Sequence, residues 1–212
     1  MAAALALRPS KIVCVGRNYR AHAAELGNDV PAEPLLFFKP PSALLADGES
    51  IVLPPESARV EFEGEIAVIV GRRLRHASDD EADAAVSHVL PLNDVTARDL
   101  QRSDGQWTRA KGFDTFCPVG TPVPVEGIDL TSLEIVTTVD GVERQRGRAR
   151  DMVFPIPSVL AYASRIMTLE PGDLVTTGTP EGVGPLDEGV TVRVEIPGVG
   201  RVENPVRRAE GR

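Results

Sequence analysis

From Val60 to Val70 the chain reads Val-Glu-Phe-Glu-Gly-Glu-Ile-Ala-Val-Ile-Val, acidic at its start and wholly apolar at its end, and it stops at Gly71. The β-branched close and the period of two predict a strand. Alternation then puts Glu61, Glu63 and Glu65 on one face, with neighbours roughly 7 Å apart. At an effective dielectric of about 20, two like charges at that distance repel by about 2 kcal/mol. Either this face meets solvent at a sheet edge, or a bound cation turns the repulsion into ligation. The apolar stretch that follows makes a fully solvated strand the poorer fit.

The rest of the chain constrains how such a strand is housed. With 19 glycines and 18 prolines among 212 residues, many short strands and tight turns are expected rather than a helical bundle. Lys11–Val15, Leu35–Phe38 and Leu174–Thr177 read as strands. Val136–Val139 and Val142–Gln145 flank Asp140-Gly141, a strong hairpin signal. Val190–Ile196 and Arg201–Val206 form a second hairpin around Pro197–Gly200. Helices are expected over Asn18–Leu26, from a capping box at Ser78 and Glu81 to about His88, over Ala97–Arg102, and over Pro157–Met167. Asp29–Pro34 reads as a mobile loop and Pro91–Thr96 as a connection. The sum is a strand-dominated α+β protein, mainly antiparallel, with residues 1–10 as an N-terminal extension and 11–212 as a single domain.

Composition excludes some functions. A net charge of −8 argues against a nucleic-acid or anionic-membrane surface. Cys14 and Cys117 stand far apart in no metal-binding or redox pattern, so buried reduced thiols and a cytoplasmic location are expected. No run reaches membrane-spanning length, and the apolar Met1–Leu7 is too short for a signal peptide. The Gly-rich stretch Thr177–Pro185 lacks the Gly-Lys-Ser/Thr ending of a P-loop and the Rossmann spacing, which excludes nucleotide binding on those motifs. No Gly-x-Ser-x-Gly elbow is present.

Asp94 is the best third partner for the strand acids, since a connection can aim a side chain freely; its alternative is capping the next helix. Three carboxylates without clustered His or Cys select magnesium, manganese or calcium over zinc. His22 and Glu25 share a helix face, as a general base with its orienting acid or as a surface ion pair. His76 follows a run of arginines on an apparent turn, and His88 is expected at a helix end. Arg17, Lys39 and Lys111 are either ordinary surface cations or, together, a grip for a carboxylate-bearing substrate.

In order and spacing these pieces resemble the fumarylacetoacetate hydrolase (FAH) family. The resemblance is carried by Gly16-Arg17-Asn18-Tyr19 with His22 and Glu25, Phe38-Lys39-Pro40, Glu63-Gly64-Glu65, Asn93 to Asp99 with Gln101, Lys111 to Thr115, and Thr177 to Pro180 through Gly184-Pro185. It runs from about Lys11 to Val206. It implies the FAH fold, a mixed β-sandwich roll, as a homodimer. It also implies a divalent metal, commonly magnesium, on Glu63, Glu65 and Asp94, with Glu61 not carried over as a ligand. His22, oriented by Glu25, is implied as the base that activates water, and Lys111 as stabiliser of a pyruvate enolate. Arg17, Gln101 and Thr179, with Lys39, are implied for substrate binding, and the segment after Glu25 as a lid. The short chain is similar to the acylpyruvate and fumarylpyruvate hydrolase branch. Oxaloacetate decarboxylation and isomerisation or decarboxylation of hydroxy-dienedioates are the alternatives on this scaffold, and a non-catalytic keto-acid-binding protein is a third.

Overall fold

The structure is a computed structural model that describes residues 7–210. Residues 1–6, most of the expected N-terminal extension, and 211–212 lie outside them. The chain is strand-dominated α+β, as its turn-rich sequence requires. A six-stranded sheet runs, from edge to edge, Val123–Pro124, Val86–Asn93, Gly64–Val70, Leu174–Thr176, Ile12–Gly16 and Leu35–Lys39. A five-stranded sheet is ordered Val142–Arg148, Glu134–Val139, Thr191–Ile196, Gly200–Arg208 and Ile51–Leu53. Smaller sheets join Gly184–Pro185, Val60–Phe62 and Thr96–Ala97, and Leu44–Leu45 with Cys117–Pro118. Most pairings are antiparallel, but Ile12–Gly16 runs parallel to Leu174–Thr176.

Both faces of the large sheet are buried, which explains its near-continuous apolar strands. Val13, Val15, Ile66, Val68 and Val175 face Ile135, Val194 and Val202 of the five-stranded sheet and Val159 and Leu160 of the helix Ile156–Ile166. Ile12, Cys14, Ala67, Ile69, Leu90 and Leu92 pack on the other side with Cys117 and Val119. The alternation read from sequence thus sorts side chains between two cores.

Several expectations need correction. The acidic run is not one strand: Val60–Phe62 belongs to the three-stranded sheet and Gly64–Val70 to the six-stranded one, with Glu63 at the break. Of the two alternatives for the acids, exposure to solvent falls away, as the apolar stretch after them suggested, since Glu61, Glu63 and Glu65 are all buried. The capping box at Ser78 and Glu81 forms, but its helix ends at Asp83, and His88 lies inside the strand Val86–Asn93. Val86 and Val89 are buried there, and the pull of that core on an apolar run overrides helix continuation. The same strand absorbs the first half of the expected connection Pro91–Thr96. The first helix is shorter than read, Arg20–Glu25, and is followed by Gly27 at φ +68°. Asp29–Pro34 carries no helix or strand.

Candidate active site

The break at Glu63 builds the site. Gly64 sits opposite Asn93 in the register of the two central strands. That register brings the next residue, Asp94, beside Glu63, where the Asp94 N–H donates to the Glu63 carbonyl at 2.8 Å. Gly64 points into the sandwich, and a Cβ there would lie 2.0 Å from Thr137 Oγ1. Only glycine lets the strand approach the second sheet this closely while Glu65 turns to the opposite face. The Gly64 N–H donates to Gln145 Oε1, and the Thr179 hydroxyl donates to the Gly64 carbonyl. The result is a buried cluster in which Glu63, Glu65 and Asp94 each offer an oxygen, all within 4.8 Å of one another.

The charges around this cluster are unevenly matched. Glu61 is held by Arg59 at 2.5 Å and by Arg98 at 2.6 Å. Glu63 pairs with Arg98 and with Lys111, the latter at 2.7 Å. Asp94 pairs with Lys39 and Lys111, both at 2.6 Å. Glu65 has no cation partner among the described residues; it accepts the Gly178 N–H at 2.8 Å. Burial would push the Glu63 carboxyl up, but Lys111 and Arg98 outweigh it and hold it well below the usual carboxylate range. Burial, then the charges of Asp94 and Glu63, push Glu65 up to about 8. Burial would lower the Lys111 ammonium, but Asp94 and Glu63 keep it above its ordinary value.

This donor set fits a hard divalent cation. It is made of oxygen, it is charged, and it contains one buried carboxylate that lacks a positive partner. Glu63, Glu65 and Asp94 are the residues that would hold the ion. Glu61, committed to two guanidiniums, is not among them.

A cavity of about 220 Å³ opens beside the cluster. Glu63, Glu65, Lys111 and His22 line it, and Arg17, Gln101 and Thr179 line it as well. Arg17 holds a left-handed backbone, φ +59°, at the start of the turn into the first helix. His22 Nδ1 lies 3.3 Å from Glu25 Oε2. Glu25 is itself fixed by the Gly182 N–H at 3.1 Å, so the Gly-rich loop braces the pair. With Nδ1 donating to Glu25, Nε2 is the basic nitrogen of the ring.

Lys39, grouped by sequence with the substrate-binding residues, takes another place. It is buried behind Asp94, donates to Asp94 and to the Val95 carbonyl, and does not line the cavity. Other residues escaped the sequence reading. Arg98 bridges Glu61, Glu63 and Gln101. Trp107 lines the cavity and packs edge-on against Phe37, ring centroids 5.1 Å apart. Arg98 sat within the Asn93–Asp99 stretch, and its spacing to Gln101 and Arg102 on one helix face was the available signal.

Known proteins share this architecture. The family model described as fumarylacetoacetate (FAA) hydrolase C-terminal matches residues 11–207. The chain is 43% identical over 204 residues to the mitochondrial oxaloacetate tautomerase FAHD1 of Arabidopsis thaliana, covering 94% of this chain and 92% of that protein. It superposes on 5-carboxymethyl-2-hydroxymuconate delta-isomerase from Mycobacterium smegmatis with a TM-score of 0.89 and 42% identity, covering 97% of this chain and 81% of that one. It superposes on fumarylpyruvate hydrolase from Pseudomonas aeruginosa, solved with Mn2+ and pyruvate, with a TM-score of 0.91 and 32% identity, covering 98% and 93%.

Proposed function

This chain belongs to the fumarylacetoacetate hydrolase family, and from that premise we propose that it is a divalent-metal-dependent enzyme acting on 2-oxo acids through a pyruvate-type enolate. The finer reading is hydrolysis of a carbon-carbon bond in a pyruvoyl-containing 1,3-diketo acid, of the acylpyruvate or fumarylpyruvate type, to give pyruvate. One observation carries it: His22, braced by Glu25, shares a cavity with the carboxylate cluster and Lys111.

A divalent ion on Glu63, Glu65 and Asp94, magnesium first with manganese or calcium as alternatives, would supply Lewis-acid polarisation of the 2-oxo acid. The chain's own groups do the rest. His22 takes a proton from water, and the water oxygen bonds to the far carbonyl carbon. The carbon-carbon bond breaks, its electron pair passes into the enolate, and the enolate carbon takes up a proton to give pyruvate. The Lys111 ammonium lies beside the oxygen that gains charge. Arg17, Gln101 and Thr179 line the cavity from different elements and orient the substrate. A homodimer and a cytoplasmic setting belong to the same proposal and rest on the family resemblance and the two buried free thiols.

A second reading is favoured by the relatives. The oxaloacetate tautomerase of Arabidopsis is more similar to this chain than the fumarylpyruvate hydrolase is. In tautomerisation or decarboxylation of oxaloacetate, or isomerisation of a hydroxy-dienedioate, the same cavity handles an enolate without attacking water. Pyruvate release from fumarylpyruvate and from oxaloacetate, with the enol absorbance of oxaloacetate followed alongside because tautomerisation releases no pyruvate, measured with wild type and His22→Ala under matched metal, separates the two. Hydrolysis should fall by about two to four orders of magnitude, and decarboxylation by less. An equal fractional loss would assign His22 to the shared enolate step and remove the main support for hydrolysis.

A further inference from the structure

Two positive charges line the cavity with no carboxylate of the chain to answer them among the described residues. Arg98, Gln101 and Arg102 stand at i, i+3 and i+4 on the short helix Arg98–Ser103, so one helix face sends all three toward the same space. Arg98 is consumed by Glu61 and Glu63. Arg102 has no ion pair or hydrogen bond among the described residues, and neither has the Arg17 side chain across the cavity.

Neighbouring acids do not explain this. Asp104 is taken by Arg109 through two bonds, at 2.8 and 2.6 Å. Asp99 is taken by the Ser57 hydroxyl and the Ala58 N–H. The carboxylates that line the cavity, Glu63 and Glu65, belong to the buried cluster. Some surface arginines elsewhere, such as Arg146 and Arg208, find carboxylates, while Arg144, Arg150 and Arg201 do not among the described residues; Arg17 and Arg102 differ from the latter in lining the cavity beside the carboxylate cluster. Arg17, moreover, is set by a left-handed backbone that an L side chain adopts only against a cost, a conformation that concentrates at ligand clamps.

We infer that Arg17 and Arg102 form a second anion grip on the solvent side of the cavity, and that Arg102 is a specificity-determining residue selecting 2-oxo acids with a second, distal carboxylate. The inference rests on the 2-oxo acid reading of the site. The 2-oxo acid end lies at the carboxylate cluster and Lys111, and the distal carboxylate lies between the two guanidiniums, whose planar forks match it. A substrate ending in a neutral alkyl group leaves both guanidiniums unanswered. Phe37 and Trp107 supply the apolar wall along which the connecting carbons run.

Trp107 is the single tryptophan of the chain and lines the cavity, so its fluorescence reports binding. The probes are two matched pairs that differ only by a terminal methyl against a carboxylate: 2-oxovalerate with 2-oxoglutarate, and 2-oxohexanoate with 2-oxoadipate. Each is titrated into Mg2+-loaded wild type, Arg102→Gln and Arg17→Gln. In wild type the dicarboxylate should bind about five- to thirtyfold more tightly in at least one pair, the range for a charge-assisted contact at a half-exposed site. In either variant that ratio should fall toward one. Metal-dependent binding of the monoacids with no dicarboxylate preference in either pair, or a preference unchanged in both variants, overturns the grip and leaves the 2-oxo acid reading standing. Binding of none of the four acids overturns both.

Discussion

Replacing Glu65 by Gln removes the one cluster carboxylate that lacks a cation, and its consequence for stability is worked from its burial. In the metal-free protein, burial and the charges of Asp94 and Glu63 place the Glu65 carboxyl at about 8, against 4.5 for the free side chain. The folded state therefore holds a proton there that the unfolded chain releases. With the folded value raised, stability is fully present below the unfolded value and is lost as pH rises toward the folded one. Between pH 5.5 and 7.5 the loss is about 2 to 3 kcal/mol from this single group. Urea unfolding in EDTA should show the wild-type midpoint falling over that range, on the order of 1 M for a chain of this size. Glu65→Gln keeps the shape and removes the titration, so its midpoint should fall much less, and near pH 7.5 the variant should be the more stable protein. Loading wild type with Mg2+ should flatten the dependence, because a bound cation keeps the carboxylate ionised. Parallel pH dependences for wild type and Glu65→Gln in EDTA would refute the argument.

Two further perturbations test how the site is framed. Gly64→Ala drives a methyl into Thr137 Oγ1 and should cost about 3 kcal/mol, read as a thermal midpoint lower by about 10 °C; adding Thr137→Ala should recover part of it, and an unchanged midpoint in Gly64→Ala would contradict the close approach of the sheets. Lys39→Met leaves Asp94 with Lys111 alone and should lower metal-free stability by about 3 kcal/mol in urea unfolding, whereas a lysine free to bind substrate would leave it unchanged.

The sequence made some features readable because they are local. The hairpin at Asp140-Gly141 needs two left-handed residues, and the backbone has them, at φ +49° and +77°. The capping box needs only Ser78 and Glu81. Glu63 and Glu65 stood out through spacing, and Asp94 through its place in an expected connection; the family resemblance then joined the three. Features set by distant partners were not readable. Alternation across Val60–Val70 is the same whether the strand is continuous or changes sheet at Glu63, and the partners found at the break, Asn93 Oδ1 accepting the Glu63 N–H and Thr137 against Gly64, are distant in sequence. Lys39 follows an apolar strand in either reading, and only the fold shows that its ammonium ends on Asp94. Arg98 lies 37 residues from Glu61, and its bridge to Glu61 and Glu63 exists only once the three-stranded sheet has formed.

The proposed chemistry requires Glu63, Glu65 and Asp94 to hold one divalent cation beside the cavity lined by His22 and Lys111. Crystals of the protein soaked in Mn2+ and measured by anomalous diffraction test it most directly. One strong manganese peak is expected at that place, about 2.0–2.3 Å from one carboxylate oxygen of each of the three residues, with Glu61 still on its arginines. A manganese peak bound elsewhere, or none at the three carboxylates under saturating metal, would contradict it.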